Sequence, residues 1–184
     1  SEKLTKDINW KDRGTAILFG DAATASFVTS REDGKGVLAI DMQSEPDLTI
    51  MLNGGSVCPI RAEDFDGADF KIHMEGGETF KRAVIEFSNS IDRVLEKANK
   101  KLSDVNFFVP HQANLRIIQA VAKRIGLPIE KVSVTLNKFG NSSSTSIGLA
   151  LTDALDNNKI KEGDLVLFTA FGGGFTWGST LMIW

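Results

Sequence analysis

Apolar positions along the chain fall into two alternating kinds of run, short continuous ones and longer ones that step by three and four. From Glu78 to Ala98 the apolar residues Phe80, Val84, Phe87, Ile91, Val94, Leu95 and Ala98 keep helical spacing, so the pattern predicts an amphipathic helix there. Leu115, Ile118, Val121, Ala122 and Ile125 make a second such stripe, with Gly126 placed to end it. A third helix, rich in small residues, is expected over Ser144–Leu155. Between them, NFFVP at 106–110 and Asp164–Phe171 are short and apolar on both faces, which predicts strands of a sheet covered on each side. Phe175–Trp184 reads as a closing strand after Gly172-Gly173-Gly174, and Val132–Leu136 as a short one. Near the start, TAILFG (15–20), TASFVTS (24–30) and GVLAIDM (36–42) are β-rich runs, the last following the Asp33-Gly34-Lys35 turn. Residues 43–73 show no firm period, hold two prolines and three glycines, and are expected to form a long excursion.

The order is two or three strands, then alternating helix and strand, then a closing strand pair. That predicts an α/β fold: a layered sandwich with a mixed sheet and helices on both faces. The 184 residues suit one domain, 1–184, with room for a substantial core. There is no internal repeat and no low-complexity segment.

Composition removes several functional classes. Hydrophobic residues at 42% and charged residues at 24% are an ordinary globular balance, and a net charge of −3 lacks the basic excess of a nucleic-acid binder. The single cysteine, Cys58, cannot form an internal disulfide, so a reducing, cytoplasmic compartment is expected. The opening SEKLTKDINWKDRG is polar, and the longest near-apolar run, 165–175, is too short to span a bilayer. A soluble protein with no membrane partner is therefore expected. The chain begins at Ser1 with no initiator methionine, as a piece of a longer protein would.

Common motifs fail in turn. In GGGFTWGST (172–180) Trp177 stands where a dinucleotide fingerprint needs its third glycine, and Ser179 where a phosphate loop needs lysine. No GxSxG elbow occurs, and His73, His111 and Cys58 do not compose a zinc set. What remains is polar chemistry at strand ends: His111 after NFFVP, Asn141 in FGNSSSTS, and the glycine run after DLVLFTAF. Ligands collect beyond strand ends in open α/β sheets. A neutral imidazole N–H and a carboxamide NH₂ are both donors, and donors aimed at one oxygen stabilise a developing oxyanion or enolate. The competing readings are structural: His111 satisfying a strand-end carbonyl, Asn141 making a turn or capping a helix, and the glycines making a tight connection. Cys58 and His73 are expected to have no chemical role.

VPHQANLR, KFGNSSSTSIGLAL, AFGGGFTWGS and ILFGDAATASFV occur in an order and spacing that resemble the carboxy-terminal half of β-ketoacyl-acyl carrier protein synthase III, an initiating condensing enzyme of type II fatty-acid synthesis with the thiolase fold. The likeness runs from about Gly14 to Trp184 and is weakest over 43–73. It implies a thiolase-like layered sandwich and a Cys-His-Asn active site. His111 matches the histidine and Asn141 the asparagine that donate to the malonyl thioester carbonyl; Gly173 matches the oxyanion-hole position for the acyl-cysteine. Asn114 matches a contact to pantetheine, and Phe80 and Phe171 would line the acyl and pantetheine channel. Arg116, Lys123, Arg124 and Lys81 match a basic face that receives the acidic carrier protein. The implied substrates are acyl-CoA and malonyl-acyl carrier protein, with CoA and phosphopantetheine thioesters in place of any cofactor or metal, and the implied assembly is a homodimer.

Two departures stand out. MEGGET puts Gly77 where the family carries a pantetheine-holding asparagine, and nothing around Cys58 in SVCPI resembles the nucleophile's helix-initiating site. The chain is thus expected to carry the decarboxylation half of the machinery without the acyl-accepting half, and to be inactive by itself. The alternatives are another thiolase-fold acyltransferase or polyketide-starter synthase, a non-catalytic acyl-carrier-binding or dimerisation module, and a hydrolase using a serine of the 142–146 cluster.

Overall fold

The computed structural model of the chain describes residues 1–30, 32–47, 49–52 and 71–184. The elements in chain order are α1 (Arg13–Ala16), β1 (Gly36–Asp47), β2 (Ile50–Leu52), β3 (Ile72–Met74), α2 (Gly76–Lys97), β4 (Phe107–Pro110), α3 (Leu115–Ile125), α4 (Leu136–Phe139), α5 (Thr145–Asp156), β5 (Leu165–Gly172) and β6 (Gly174–Ile183). Four strands form one mixed sheet in the order β1-β6-β5-β4, and β2 pairs with β3 in a separate antiparallel ribbon. β4 and β5 run parallel, with Phe107 opposite Val166 and Pro110 opposite Thr169. β6 is antiparallel to both β5 and β1.

Side-chain alternation in the short strands explains why both faces need cover. Phe108 and Leu167 point to the face packed by α2 and α3, through Phe87, Ile91, Val94, Ile118 and Val121, all buried. Phe107, Val109 and Val166 point to the other face, where Ala150 and Ala154 of α5 close over them. The small residues of α5 let that helix lie close to the sheet. α3 ends as its sequence implies, with Gly126 at φ 80° in the left-handed region. The α/β sandwich with a mixed sheet and helices on both faces is therefore the fold. No helix among the described residues is long and apolar enough to cross a membrane.

Three expected strands are absent. Residues 13–16 form a helical turn whose start is capped by Asp12 accepting from the Gly14 N–H, and only Phe19 keeps a bridge, to Asn141. Residues 24–30 carry no regular structure, with Phe27 94% and Val28 85% exposed. A β-prone run needs a partner strand to become one, and none of the described residues supplies it. Val132 makes a single bridge to Phe108, because the next ladder positions are taken by a side chain, that of Gln112. The excursion over 43–73 is partly ordered at its ends by β1, β2 and β3; Cys58 lies outside the described residues, and His73 sits in β3 opposite Met51.

β1 carries one buried charge that its apolar pattern hides. Asp41 is 2% exposed and receives hydrogen bonds from Ser90, Arg93 and Lys97 of α2. Burial pushes its carboxyl pKa up, but the bonds from Lys97, Arg93 and Ser90 together outweigh that and hold it below the ordinary aspartate value. The cluster ties the edge strand to the helix.

Candidate active site

β4 stops at Pro110, yet the backbone continues in register for one residue, His111 N–H donating to Thr169 O at 2.7 Å. The chain then turns, Ala113 N–H reaching His111 O at 2.9 Å, and Asn114 caps α3 by accepting from the Arg116 N–H at 2.8 Å. Under this junction lies Gln112, fully buried. Its Nε2 donates to Pro110 O (2.8 Å) and Ser133 O (3.1 Å), and its Oε1 accepts from Thr135 N–H (2.8 Å). A single carboxamide thus joins β4 to the 132–135 segment and holds His111 at the rim of the sheet.

The His111 ring is oriented by Ser146 at the start of α5, with Nδ1 and Oγ 2.6 Å apart. Burial pushes the imidazole pKa down to about 4, so the ring is neutral at pH 7. Its Nε2 has no hydrogen-bond partner among the described residues. Ser146 is itself 1% exposed and is not part of the cavity wall, so the pair does not present a nucleophile to a substrate as a hydrolase requires.

Asn141 enters by a different route. α4 ends at Phe139, Gly140 turns the chain at φ 65°, and the Asn141 backbone is clamped to the 18–20 segment by bonds to Leu18 O (2.7 Å) and from Gly20 N–H (2.9 Å). The Asn141 Oδ1 accepts from Ser143 N–H at 3.0 Å, which turns the NH₂ group toward Ala113 O, 3.4 Å away. The helix-cap reading does not hold: α5 begins at Thr145, with Ser144 at the cap position.

These pieces meet at one cavity of about 1410 Å³. Its wall includes His111, Asn141, Asn114, Phe80, Phe171 and Gly173, the six residues that the sequence points to for catalysis, oxyanion stabilisation and substrate contact. Phe171 also stacks into the core beside Phe175 and Trp177. Gly173 lets β2 approach, since a Cβ there would come 3.3 Å from Ile50 O. Gly77 lines the same space with nothing within 4 Å of where a side chain would start. Of the expected basic face, Lys81 and Arg116 stand at this cavity, Arg116 over the Phe80 ring at 5.5 Å and Lys81 paired with Glu78 at 2.6 Å. Lys123 and Arg124 are exposed but lie away from it, about two turns further along α3. Among the described residues no cluster of His, Cys, Asp and Glu has the makings of a metal site.

Ser146 and Gln112 escape a reading of the sequence. Their signal was proximity in the fold to a histidine, which spacing along the chain does not carry. The Asp41 cluster was closer to legible: an acidic residue in an apolar run, with Arg93 and Lys97 one turn apart on the helix stripe that faces it.

The geometry has clear relatives. Residues 95–184 match the family model described as 3-oxoacyl-[acyl-carrier-protein (ACP)] synthase III C terminal, and residues 1–46 match a second model, 3-oxoacyl-[acyl-carrier-protein (ACP)] synthase III. The chain belongs to the synthase III family. It is 41% identical over 184 residues to the β-ketoacyl-[acyl-carrier-protein] synthase III 1 of Bacillus cereus, covering 100% of this chain and 55% of that protein. The crystal structure of the Aquifex aeolicus synthase III superposes with a TM-score of 0.87 at 42% identity, over 99% of this chain and 55% of that one. A priming β-ketosynthase of the R1128 polyketide pathway superposes with a TM-score of 0.78 at 26% identity, over 98% and 54%. The chain spans about half the length of the curated relatives it matches. The synthase III likeness extends back to residue 1, ahead of Gly14 where the motifs begin, and residues 47–94 lie outside both family matches.

Proposed function

We propose that this chain supplies the decarboxylating half of a condensing active site, in which acyl-CoA and malonyl-acyl carrier protein yield a 3-oxoacyl thioester for fatty-acid synthesis. The observation that carries the reading is the convergence of His111 and Asn141, from separate elements, on the cavity that also holds Gly173. When the malonyl C–C bond breaks, carbon dioxide leaves and the electron pair passes to the α-carbon and the thioester oxygen. A neutral imidazole N–H and the Asn141 NH₂ share that growing charge, and they gain strength as it grows, which is what lowers the barrier. The enolate carbon then attacks an acyl thioester held on cysteine, whose thiolate departs while the Gly173 N–H stabilises the tetrahedral oxyanion. That cysteine is expected from the part of the relatives that this chain does not span.

Asn114 contacts the pantetheine arm through its free NH₂, its oxygen being committed to the α3 cap, and Phe80 and Phe171 line the channel. Lys81 and Arg116 receive the acidic carrier protein at the mouth; Lys123 and Arg124 extend the face along α3. The working form is a cytoplasmic homodimer without metal or cofactor. A polyketide-priming role is the second reading, favoured by the likeness to the R1128 ketosynthase. Comparing turnover of malonyl thioesters on fatty-acid and polyketide carrier proteins separates the two.

The test uses the chain joined to the part of a synthase III relative that it does not span. His111→Ala is expected to leave acylation of the cysteine intact and abolish decarboxylation, and Asn141→Ala to lower decarboxylation by about 10²–10³. Equal loss of acylation and decarboxylation contradicts these roles for the two side chains, and 3-oxoacyl product from the 184-residue chain alone contradicts the division of labour. Carrier-protein binding without any turnover in the joined protein would favour a non-catalytic docking module.

A further inference from the structure

The His111 donor role needs more than a neutral ring, because a neutral imidazole carries one proton and either nitrogen can hold it. If Nδ1 held it, Nε2 would present a lone pair to the cavity and repel a developing enolate. Which tautomer forms is settled by the partner at Nδ1. That partner is Ser146, at 2.6 Å, in the first turn of α5 and behind the cavity wall rather than in it.

A serine hydroxyl has one proton to give and two lone pairs to fill. One lone pair of Ser146 Oγ is taken by the Gln112 backbone N–H at 3.2 Å. Among the described residues the only acceptor within bonding distance of its proton is His111 Nδ1. With Nδ1–H in place instead, the Ser146 proton would face that N–H, buried and without a partner at 1% exposure. We infer that Ser146 is a positioning residue which donates to His111 Nδ1 and so holds the ring in the Nε2–H tautomer, proton toward the cavity. This rests on the proposed donor role of His111 for its catalytic meaning, but not for its truth. Gln112 completes the device: its backbone N–H orients the serine lone pair while its side chain fixes the loop beneath.

The tautomer is read directly by long-range ¹H–¹⁵N correlation of the imidazole in the ¹⁵N-histidine-labelled 184-residue chain, with His111→Gln assigning the signals against His73. At pH 7 the wild type is expected to hold His111 as Nε2–H in roughly tenfold excess, the preference that one hydrogen bond supports. Ser146→Ala is expected to bring the two tautomers near equality, and Ser146→Thr to restore the excess; should the alanine variant fail to fold, Ser146→Cys, a weaker donor, takes its place with an intermediate ratio. A wild-type ring protonated on Nδ1, or a ratio indifferent to Ser146, overturns the inference. The measurement uses no substrate, so it stands apart from the functional reading: an Nε2–H ring in an enzyme whose decarboxylation survives His111→Ala would sink that reading and leave this one in place.

Discussion

Replacing Gln112 by methionine is expected to destabilise the chain by about 4–5 kcal/mol. The side chain is fully buried, and it satisfies three backbone groups that belong to two different segments: the carbonyls of Pro110 and Ser133 and the N–H of Thr135. Methionine has nearly the same length and fills irregular space, so cavity formation adds little. What is lost is hydrogen bonding. Three bonds at about 1 kcal/mol net each give about 3 kcal/mol, and the desolvated Thr135 N–H, with no other partner, adds about 1–2 kcal/mol more. Against a total stability of about 5–15 kcal/mol for a domain of ordinary size, that is a large fraction. Urea unfolding followed by far-ultraviolet circular dichroism measures it as a drop in midpoint at constant slope. Gln112→Glu should be at least as damaging, since it keeps the acceptor but removes both donors and buries a charge. A loss below about 1 kcal/mol with an unchanged slope would refute the view that this carboxamide stands in for a β-ladder.

Other outcomes follow from the same geometry. Because burial lowers the His111 pKa from 6.5 to about 4, the unfolded chain binds a proton in that window that the folded chain does not; stability is unaffected above pH 6.5 and falls as pH drops toward 4, by up to about 3 kcal/mol. Unfolding measured across pH 4–7 should lose that component in His111→Phe, and an identical slope in the variant would contradict the assignment. Gly20→Ala would place a Cβ 2.2 Å from Phe139 O, a backbone atom that cannot step aside. It is expected to cost about 1–3 kcal/mol and, by pushing the 18–20 segment off Asn141, to depress decarboxylation in the joined protein more than acylation; a variant as stable and active as the parent would remove the clamp from the account.

The elements with strong local signals were legible in the sequence because burial and period coincide in them. The 80–98 stripe and NFFVP bury the side chains that their spacing predicts, and the capped, glycine-terminated helix at 115–125 does so from Ile118 onward, with Ile117 buried in place of Leu115, which is 44% exposed. His111, Asn141 and the glycine run could be picked out as polar groups at strand ends, and the family motifs added their expected roles. The failures share a cause. TASFVTS and Val132–Leu136 have the composition of strands, but a strand is defined by a partner, and pairing is a property of distant segments. Tertiary structure alone put a carboxamide where a ladder would have run and brought a serine 35 positions away to the imidazole. Local sequence sets which segments coil or extend; which polar atoms face each other across the fold depends on how those segments pack, and in this chain the candidate chemistry lies in those meetings.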